Sequence, residues 1–129
     1  MLVRHPEDWP RAFVKCLNAG DIDGVLGLYE SHAQFITPTR DVIKGRERIR
    51  AFIERLITGH AEMECEVVQC LVMDDVAQLY TDFSGTVQDE HGRSRTMRDH
   101  AIEVLRRQAD GGWQLIAGDP NGRSTRGQA

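Results

Sequence analysis

The second half of this sequence consists of strand-like segments that follow one another with only short turns between them. They cover residues 62–73, 76–87, 95–108 and 113–118. The separators are rich in Asp and Gly, the residues that tight turns favour. Because strands joined by short turns pair antiparallel with their neighbours, the sequence predicts a four-stranded meander.

Three helical segments precede this meander. The first begins after Pro6 and ends near Gly20, with apolar residues at helical spacing. Asp21 is placed to cap a short second helix that continues to Tyr29. The third helix is expected over residues 45–58, where apolar and charged side chains occupy opposite faces.

Two short segments, 33–37 and 41–44, predict a hairpin between the second and third helices. Helices followed by a run of strands indicate the α+β class. We expect one domain over residues 1–129, with a core from about 7 to 120 and a flexible tail over 121–129.

Composition and charge exclude several classes of protein. The formal net charge is −4, and the basic residues Arg93, Arg95 and Arg98 are interrupted by acidic ones, so no nucleic-acid partner is expected. No apolar run reaches membrane-spanning length, so no membrane partner is expected either. The first residues carry charges and two prolines where a signal peptide would be apolar, which favours a cytoplasmic location.

The three cysteines lack the spacing of a zinc site. Cys65 and Cys70 are separated by an odd number of positions on one predicted strand, so we expect them on opposite faces and unable to form a disulfide. We expect reduced thiols and no bound metal.

The chain resembles the ketosteroid isomerase and SnoaL-like branch of the nuclear transport factor two-like superfamily. The resemblance runs from about Trp9 to Pro120. Its most specific part is the junction of the first two helices, and it continues through two strands, the start of the third helix and the last strand. The segments that carry it are Phe13 to Val25, Gln34 to Pro38, Gly45 to Phe52, Arg98 to Ala101 and Trp113 to Pro120.

The resemblance implies a cystatin-like roll, in which a curved mixed or antiparallel sheet forms a cone-shaped barrel around a long N-terminal helix, with three helices in all. It also implies an apolar ligand pocket and a homodimer formed through the convex face. Strand alternation places Met97, Asp99, Ala101 and Glu103 on one face of their strand. We expect the pocket to be lined by Phe13, Leu17, Phe35, Thr37, Phe52, Leu79, Thr81, Phe83, Met97 and Asp99.

The resemblance also assigns positions to the isomerase machinery. Thr37 stands where the family has its catalytic base, and a hydroxyl group cannot accept a proton at neutral pH. Phe13 stands where the family has a tyrosine donor. Asp99 retains the family's acidic residue, and burial in an apolar wall would favour its neutral form. These differences argue against ketosteroid isomerase activity itself, and Asp99 is the expected acidic group of the pocket.

The leading hypothesis is a SnoaL-like domain that binds a small apolar or carbonyl-containing ligand. An alternative is a cofactor-independent isomerase, cyclase, dehydratase or epoxide hydrolase that uses Asp99 as acid, base or oxyanion donor; His100 is a further candidate base. The epoxide hydrolase version would pair Asp82 and Asp99 around Arg98, although Arg98 and Asp99 should point apart. Another alternative is a non-catalytic dimerisation or assembly module. No cofactor is expected, because no phosphate loop, dinucleotide motif or metal triad is present.

Overall fold

A computed structural model describes residues 2–124 of the chain. A 3-10 turn, Pro6–Asp8, leads into the first helix. The helices are α1 (Trp9–Asn18), α2 (Ile22–Leu26) and α3 (Arg46–Thr58). The strands are β1 (Tyr29–Ile36), β2 (Val42–Lys44), β3 (Glu62–Met73), β4 (Val76–Gln88), β5 (Ser94–Arg107) and β6 (Trp113–Asp119).

The six strands form one mixed sheet in the order β2-β1-β6-β5-β4-β3. Strands β3 to β6 form the predicted antiparallel meander, and β1 joins β6 in parallel. The sheet is open, with β2 and β3 at its edges, and it curves around the helices as a cone-shaped roll. The α+β class with a curved mixed sheet is therefore confirmed.

Helix α1 packs on the inner face of the sheet through its apolar stripe. Trp9 is 1% exposed, and its indole Nε1 donates a hydrogen bond to the carbonyl oxygen of Leu28 at 2.8 Å. Cys16 and Leu17 are buried on the same helix. The predicted long N-terminal helix has ten residues and is shorter than the thirteen-residue α3, because the 3-10 turn takes the place of its first turn.

Helix α2 begins as predicted, with the Asp21 carboxylate accepting a hydrogen bond from the Gly24 backbone N–H at 2.9 Å. It ends earlier than predicted. Tyr29 is the first residue of β1, where it lies opposite Leu115 of β6. Pairing with β6 satisfies the backbone there, which a five-residue helix could not do by extending alone.

The prediction that Cys65 and Cys70 lie on opposite faces is wrong. Cys65 lies opposite Phe83 and Cys70 opposite Leu79, and both of those β4 residues face inward. A register shift between Val67 and Gln69 inserts one extra residue and restores the same face. The two cysteines still lie about 13 Å apart along the strand, which is too far for a disulfide.

The segment after β6 turns back over the convex face of the sheet. The Arg123 backbone N–H donates to the His100 carbonyl oxygen at 3.0 Å, and its guanidinium Nε donates to the Ala101 carbonyl oxygen at 3.1 Å. The predicted flexible tail begins at residue 121, and within it Arg123 is hydrogen-bonded to β5. The rest of that prediction, 125–129, lies outside the described residues. Within residues 2–124, no helix is long and apolar enough to cross a membrane.

Candidate functional site

A cavity of about 100 Å³ lies between the inner face of the sheet and helices α1 and α3. Its walls are mostly apolar. Trp9, Tyr29 and Leu115 contribute to it, although none of them was in the predicted set. Seven of the ten predicted lining residues are present, namely Phe13, Leu17, Phe35, Phe52, Phe83, Met97 and Asp99.

The other three predicted lining residues lie elsewhere. Thr37 follows β1 in a turn, where its hydroxyl group lies 3.0 Å from that of Thr39 and accepts a hydrogen bond from the Asp41 backbone N–H. Leu79 and Thr81 do face inward, but both are completely buried and do not border the cavity. Alternation gave their face correctly, whereas the packing above them could not be predicted from it.

Aromatic rings form much of the wall. The Phe13 ring stacks on Trp9 with centroids 5.5 Å apart and meets Phe83 edge-on at 5.9 Å. Phe35 and Phe52 pack together at 4.9 Å. Because Phe13 has no hydroxyl group, this part of the wall offers a ligand contact area but no hydrogen bond.

Asp99 projects from β5 into the cavity and is half-buried. It lies opposite Phe83 on β4. Burial raises the pKa of Asp99 to about 6, and the nearby His100 acts in the opposite direction. At neutral pH the carboxyl group is therefore mainly ionised, and it becomes half-protonated near pH 6.

Glu103 is a second acidic residue of the cavity, which sequence reasoning did not include among the site residues. It is 4% exposed, and its Oε1 accepts a hydrogen bond from the Thr81 hydroxyl at 2.7 Å. Burial raises the pKa of Glu103 to about 7, opposed by the Thr81 hydrogen bond and by Arg123. The signal for it was present, because alternation had already placed Glu103 on the same face as Asp99.

Tyr29 is the other buried polar residue that borders the cavity. It extends from β1 and is 4% exposed, with its ring edge-on to Trp9 at 5.6 Å. Burial and the charge of Glu103 both raise the pKa of Tyr29 well above its usual range. The phenol therefore stays protonated and keeps a hydrogen to donate.

An ion pair bridges two of the segments at the outer end of the cavity. Asp119 and Pro120 line it from the end of β6, and Pro38 lines it from the turn between β1 and β2. In the same turn, both terminal nitrogens of Arg40 donate to the Asp119 carboxylate, at 2.8 and 3.1 Å. This exposed pair ties the turn to the end of β6.

Asp82 and His100 lie on the convex face, away from the cavity. His100 Nδ1 is 3.0 Å from Asp82 Oδ1, and Arg123 donates to the same oxygen at 2.5 Å. These hydrogen bonds, the one from His100 first, lower the pKa of Asp82. The structure thus separates Asp82 from Asp99 by the thickness of the sheet, so the pairing of these two carboxylates around Arg98 is not formed, and His100 does not border the cavity.

The arrangement supports acid–base or hydrogen-bonding chemistry. Among residues 2–124, no three side chains of His, Cys, Asp or Glu group together as metal ligands would. The polar groups in the cavity are the carboxyl groups of Asp99 and Glu103, the Tyr29 hydroxyl and, at the outer end, Asp119.

An open, curved sheet that wraps around helices and an apolar cavity places the chain among the cystatin-like, nuclear transport factor two-like folds. Residues 11–116 match the family model described as the SnoaL-like domain. The chain therefore belongs to the SnoaL-like family. A comparison with curated proteins found no significant sequence match.

Solved structures show the same fold at low sequence identity. A ketosteroid isomerase-like protein from Erwinia carotovora atroseptica is 20% identical, with a TM-score of 0.76 over 88% of this chain and 89% of that one. A conserved protein from Planctomyces limnophilus is 21% identical, with a TM-score of 0.78 over 86% and 88%. An NTF2-like protein with a cystatin-like fold from Novosphingobium aromaticivorans is 15% identical, with a TM-score of 0.72 over 88% and 76%. At these identities the likeness concerns the fold.

Proposed function

We propose that this protein binds a small, largely apolar molecule that carries a carbonyl group, with the ligand seated in the cavity between the sheet and the helices. The observation that carries the proposal is an apolar, aromatic-walled cavity with two carboxyl groups of raised pKa in its wall. Binding pockets for small molecules combine apolar walls with a few polar groups that orient the ligand in this way.

The cavity volume limits the size of the ligand. Pockets for drug-sized ligands hold about 300–1,000 Å³, whereas an apolar protein cavity of about 150 Å³ binds benzene. The cavity of about 100 Å³ is smaller than the benzene-binding one, so a single small ring, or one ring of a larger molecule, has to extend in part past the Arg40–Asp119 pair at the outer end. A whole steroid would require the walls to move apart.

A filled cavity provides the test. Ala101 is 2% exposed and borders the cavity, so Ala101→Leu should occupy it and reduce the affinity for cyclohexanone at least tenfold in a protein-observed NMR titration. Ala51→Leu, an exposed site on α3, is the matched control and should bind as the wild type does. If Ala101→Leu does not fold, Leu56→Ala provides the alternative test. It shortens a side chain of the wall and so enlarges the cavity, which should improve binding of a larger ring. Equal binding by wild type and a folded Ala101→Leu protein would contradict the proposal.

A second candidate function is cofactor-independent proton transfer next to a carbonyl group. Two carboxyl groups with separated pKa values share one cavity, so between about pH 6 and pH 7 Asp99 is mainly ionised while Glu103 is mainly protonated. Such a pair can supply a base and an acid at the same time. Asp99 would take a proton from the carbon beside the carbonyl, as in the isomerase hypothesis.

Deuterium exchange tests this second function without knowledge of the natural substrate. The protein should speed the exchange of the protons next to the carbonyl of cyclohexanone in heavy water, followed by proton NMR. Asp99→Asn should reduce that rate about a hundredfold or more, because a positioned base contributes about 10²–10⁴ to a rate. If Asp99→Asn still binds cyclohexanone and exchanges its protons at the wild-type rate, the proton-transfer function is wrong and only the binding function remains.

We also propose that the protein forms a homodimer through the convex face of the sheet. Leu71 is 46% exposed and Met73 54% exposed on that face. The acidic residues Glu62, Glu64 and Glu66 of β3 lie on one side of it, and Arg98 of β5 on the other, so two copies related by a two-fold axis would match opposite charges. Light scattering after size exclusion should give twice the mass of the chain, and Leu71→Glu should give the single mass.

A further inference from the structure

The carboxyl group of Glu103 has the position of a polar anchor within the cavity wall. Glu103 is 4% exposed, whereas Asp99, on the same strand face four residues earlier, is half-buried. Four residues of extended strand separate the two backbone positions by about 13 Å. The two acidic residues therefore reach different parts of the cavity, and Glu103 lies in the part that is less exposed to water.

Thr81 fixes which oxygen of Glu103 is free to meet a ligand. The Thr81 hydroxyl is fully buried and donates to Glu103 Oε1 at 2.7 Å. In the protonated acid, the oxygen that accepts from Thr81 is best suited to be the carbonyl oxygen, which leaves the proton on Oε2. The side chain is thus held by β4 with its acidic hydrogen available to another partner.

We infer that Glu103 is the residue that selects the ligand, by donating a hydrogen bond from its protonated carboxyl group to the oxygen of a single-ring ketone that enters oxygen first. This inference rests on the proposed function, since it requires that the cavity bind a ligand. Tyr29 also lines the cavity and carries a second hydroxyl hydrogen for the same oxygen. Asp99 then faces the ring carbons rather than the oxygen.

The chemistry of a carboxyl donor sets the pH dependence. A protonated Glu103 attracts a ketone oxygen, whereas its carboxylate repels one, so affinity should fall as pH rises through about 7. Burial also raises the pKa of Tyr29 and that of Cys65, so both stay protonated throughout this range. Other groups that act on Glu103 or share its cavity are Thr81 of β4, Asp99 of β5, Asp119 at the end of β6, and Arg123, whose positive charge lowers the pKa of Glu103.

Three ring compounds of similar size separate the possible contacts. Cyclohexanone accepts a hydrogen bond, cyclohexanol both accepts and donates, and cyclohexane does neither. NMR titrations of the intact protein should show cyclohexanone binding about tenfold weaker at about pH 8 than at about pH 6. Cyclohexane affinity should not change with pH, and cyclohexanol should lose less than cyclohexanone because it can donate to the carboxylate.

Two substitutions at the same position provide the matched comparison, measured in an Asp99→Asn background to remove the second titration. Glu103→Gln retains a hydrogen-bond donor and should bind cyclohexanone with an affinity that no longer depends on pH. Glu103→Leu removes the donor and should lose about tenfold in affinity for cyclohexanone relative to cyclohexane.

Each outcome distinguishes the inference from the proposal on which it rests. If none of the three compounds binds the wild type, the proposed function fails. If they bind, but the preference for cyclohexanone over cyclohexane is the same in wild type, Glu103→Gln and Glu103→Leu, the cavity is a binding site and the role of Glu103 is overturned. If the pH dependence of cyclohexanone affinity persists in Glu103→Gln, another titratable group interacts with the ligand oxygen, and the inference is also wrong.

Discussion

At the scale of single residues, the chemistry of the cavity depends on how two carboxyl groups are kept close to neutral. The Glu103 side chain is almost fully shielded from water, and one hydrogen bond from Thr81 compensates in part for its lost hydration. Asp99 keeps more contact with water and has the lower of the two raised pKa values, about 6 against about 7. Glu103 also starts from a higher value than Asp99, 4.5 against 3.8, and burial raises both, so two acids on one strand carry different charges near neutral pH.

The Thr81 hydrogen bond is open to a direct test. Thr81→Val keeps the volume but removes the donor, and because that donor favours the carboxylate form, the pKa of Glu103 should rise further above about 7. Carbon-13 NMR of the labelled carboxyl group would follow this titration. Thr86→Val, an exposed site on the same strand, should leave it unchanged. A pKa that stays the same or falls in Thr81→Val would mean that Thr81 does not donate to Glu103.

Residue-level prediction from the sequence succeeded where alternation decides the answer. Alternation put Asp99 and Glu103 on one face because strand β5 is paired regularly with β4, and the family resemblance assigned that face of Asp99 to the pocket. Thr37 was placed wrongly because it comes one residue after β1 ends, where alternation no longer applies and its hydroxyl bonds within the turn. The importance of Glu103 was missed because its burial depends on Thr81 and the helices above, which alternation does not describe.

At the scale of elements, strands β3 and β4 approach each other unusually closely at Gly85. A Cβ atom at this position would collide with the carbonyl oxygen of Glu62 and lie 2.8 Å from the sulfur of Met63. Met63 itself borders the cavity. A glycine inside a strand often marks such a close approach, which here keeps the wall around Met63 in place.

Gly85→Ala should therefore destabilise the protein by about 1–3 kcal/mol, the usual cost of forcing extra volume into a packed site. The free energy of unfolding in urea would measure it, and the neighbouring exposed site gives the control, Ser84→Ala, with a change under about 0.5 kcal/mol. Equal stability of the two variants would show that β3 moves aside without cost.

The limits of element prediction have local physical causes. Strands β3 to β6 were predicted almost to the residue, because short turns and β-favouring runs are local signals. The bulge in β3 leaves no such signal, since Val67 and Val68 are identical, and it reversed the expected faces of the two cysteines. The end of α2 was missed because pairing of β1 with the distant β6 decides it.

At the scale of the whole molecule, the fold follows from the order of its elements, whereas the cavity does not. Helices followed by a meander predict an α+β roll, and the parallel pairing of β1 with β6 completes the sheet. The volume left inside depends on how Trp9, Phe13, Phe83 and their neighbours pack. A few such side chains determine whether the volume suits a single ring. Sequence patterns predict which face a residue lies on but do not predict how the side chains on that face pack.

Stability against pH tests the buried acids through the whole molecule. In the unfolded chain Asp99 and Glu103 ionise near 3.8 and 4.5, whereas in the folded protein their pKa values are about 6 and about 7. The folded state therefore binds more protons between these limits, so the free energy of unfolding should fall as pH rises from about 4 to about 7 and level off above. Asp82, Asp89 and Glu30 have lowered pKa values, so their contribution is present above about pH 4 and is lost as pH falls below it, which places maximum stability near pH 4.

Glu103→Gln isolates the main part of this pH dependence. A shift from 4.5 to about 7 corresponds to about 3 kcal/mol that the wild type loses across the range, and a neutral amide of the same shape cannot lose it. Urea unfolding at a series of pH values should show the variant gaining on the wild type as pH rises and exceeding it by up to about 3 kcal/mol at pH 8. Glu64→Gln, an exposed carboxyl on β3, should follow the wild-type curve. Parallel curves for wild type and Glu103→Gln would mean that Glu103 is ionised in the folded protein, and the acidic donor in the cavity would be lost with it.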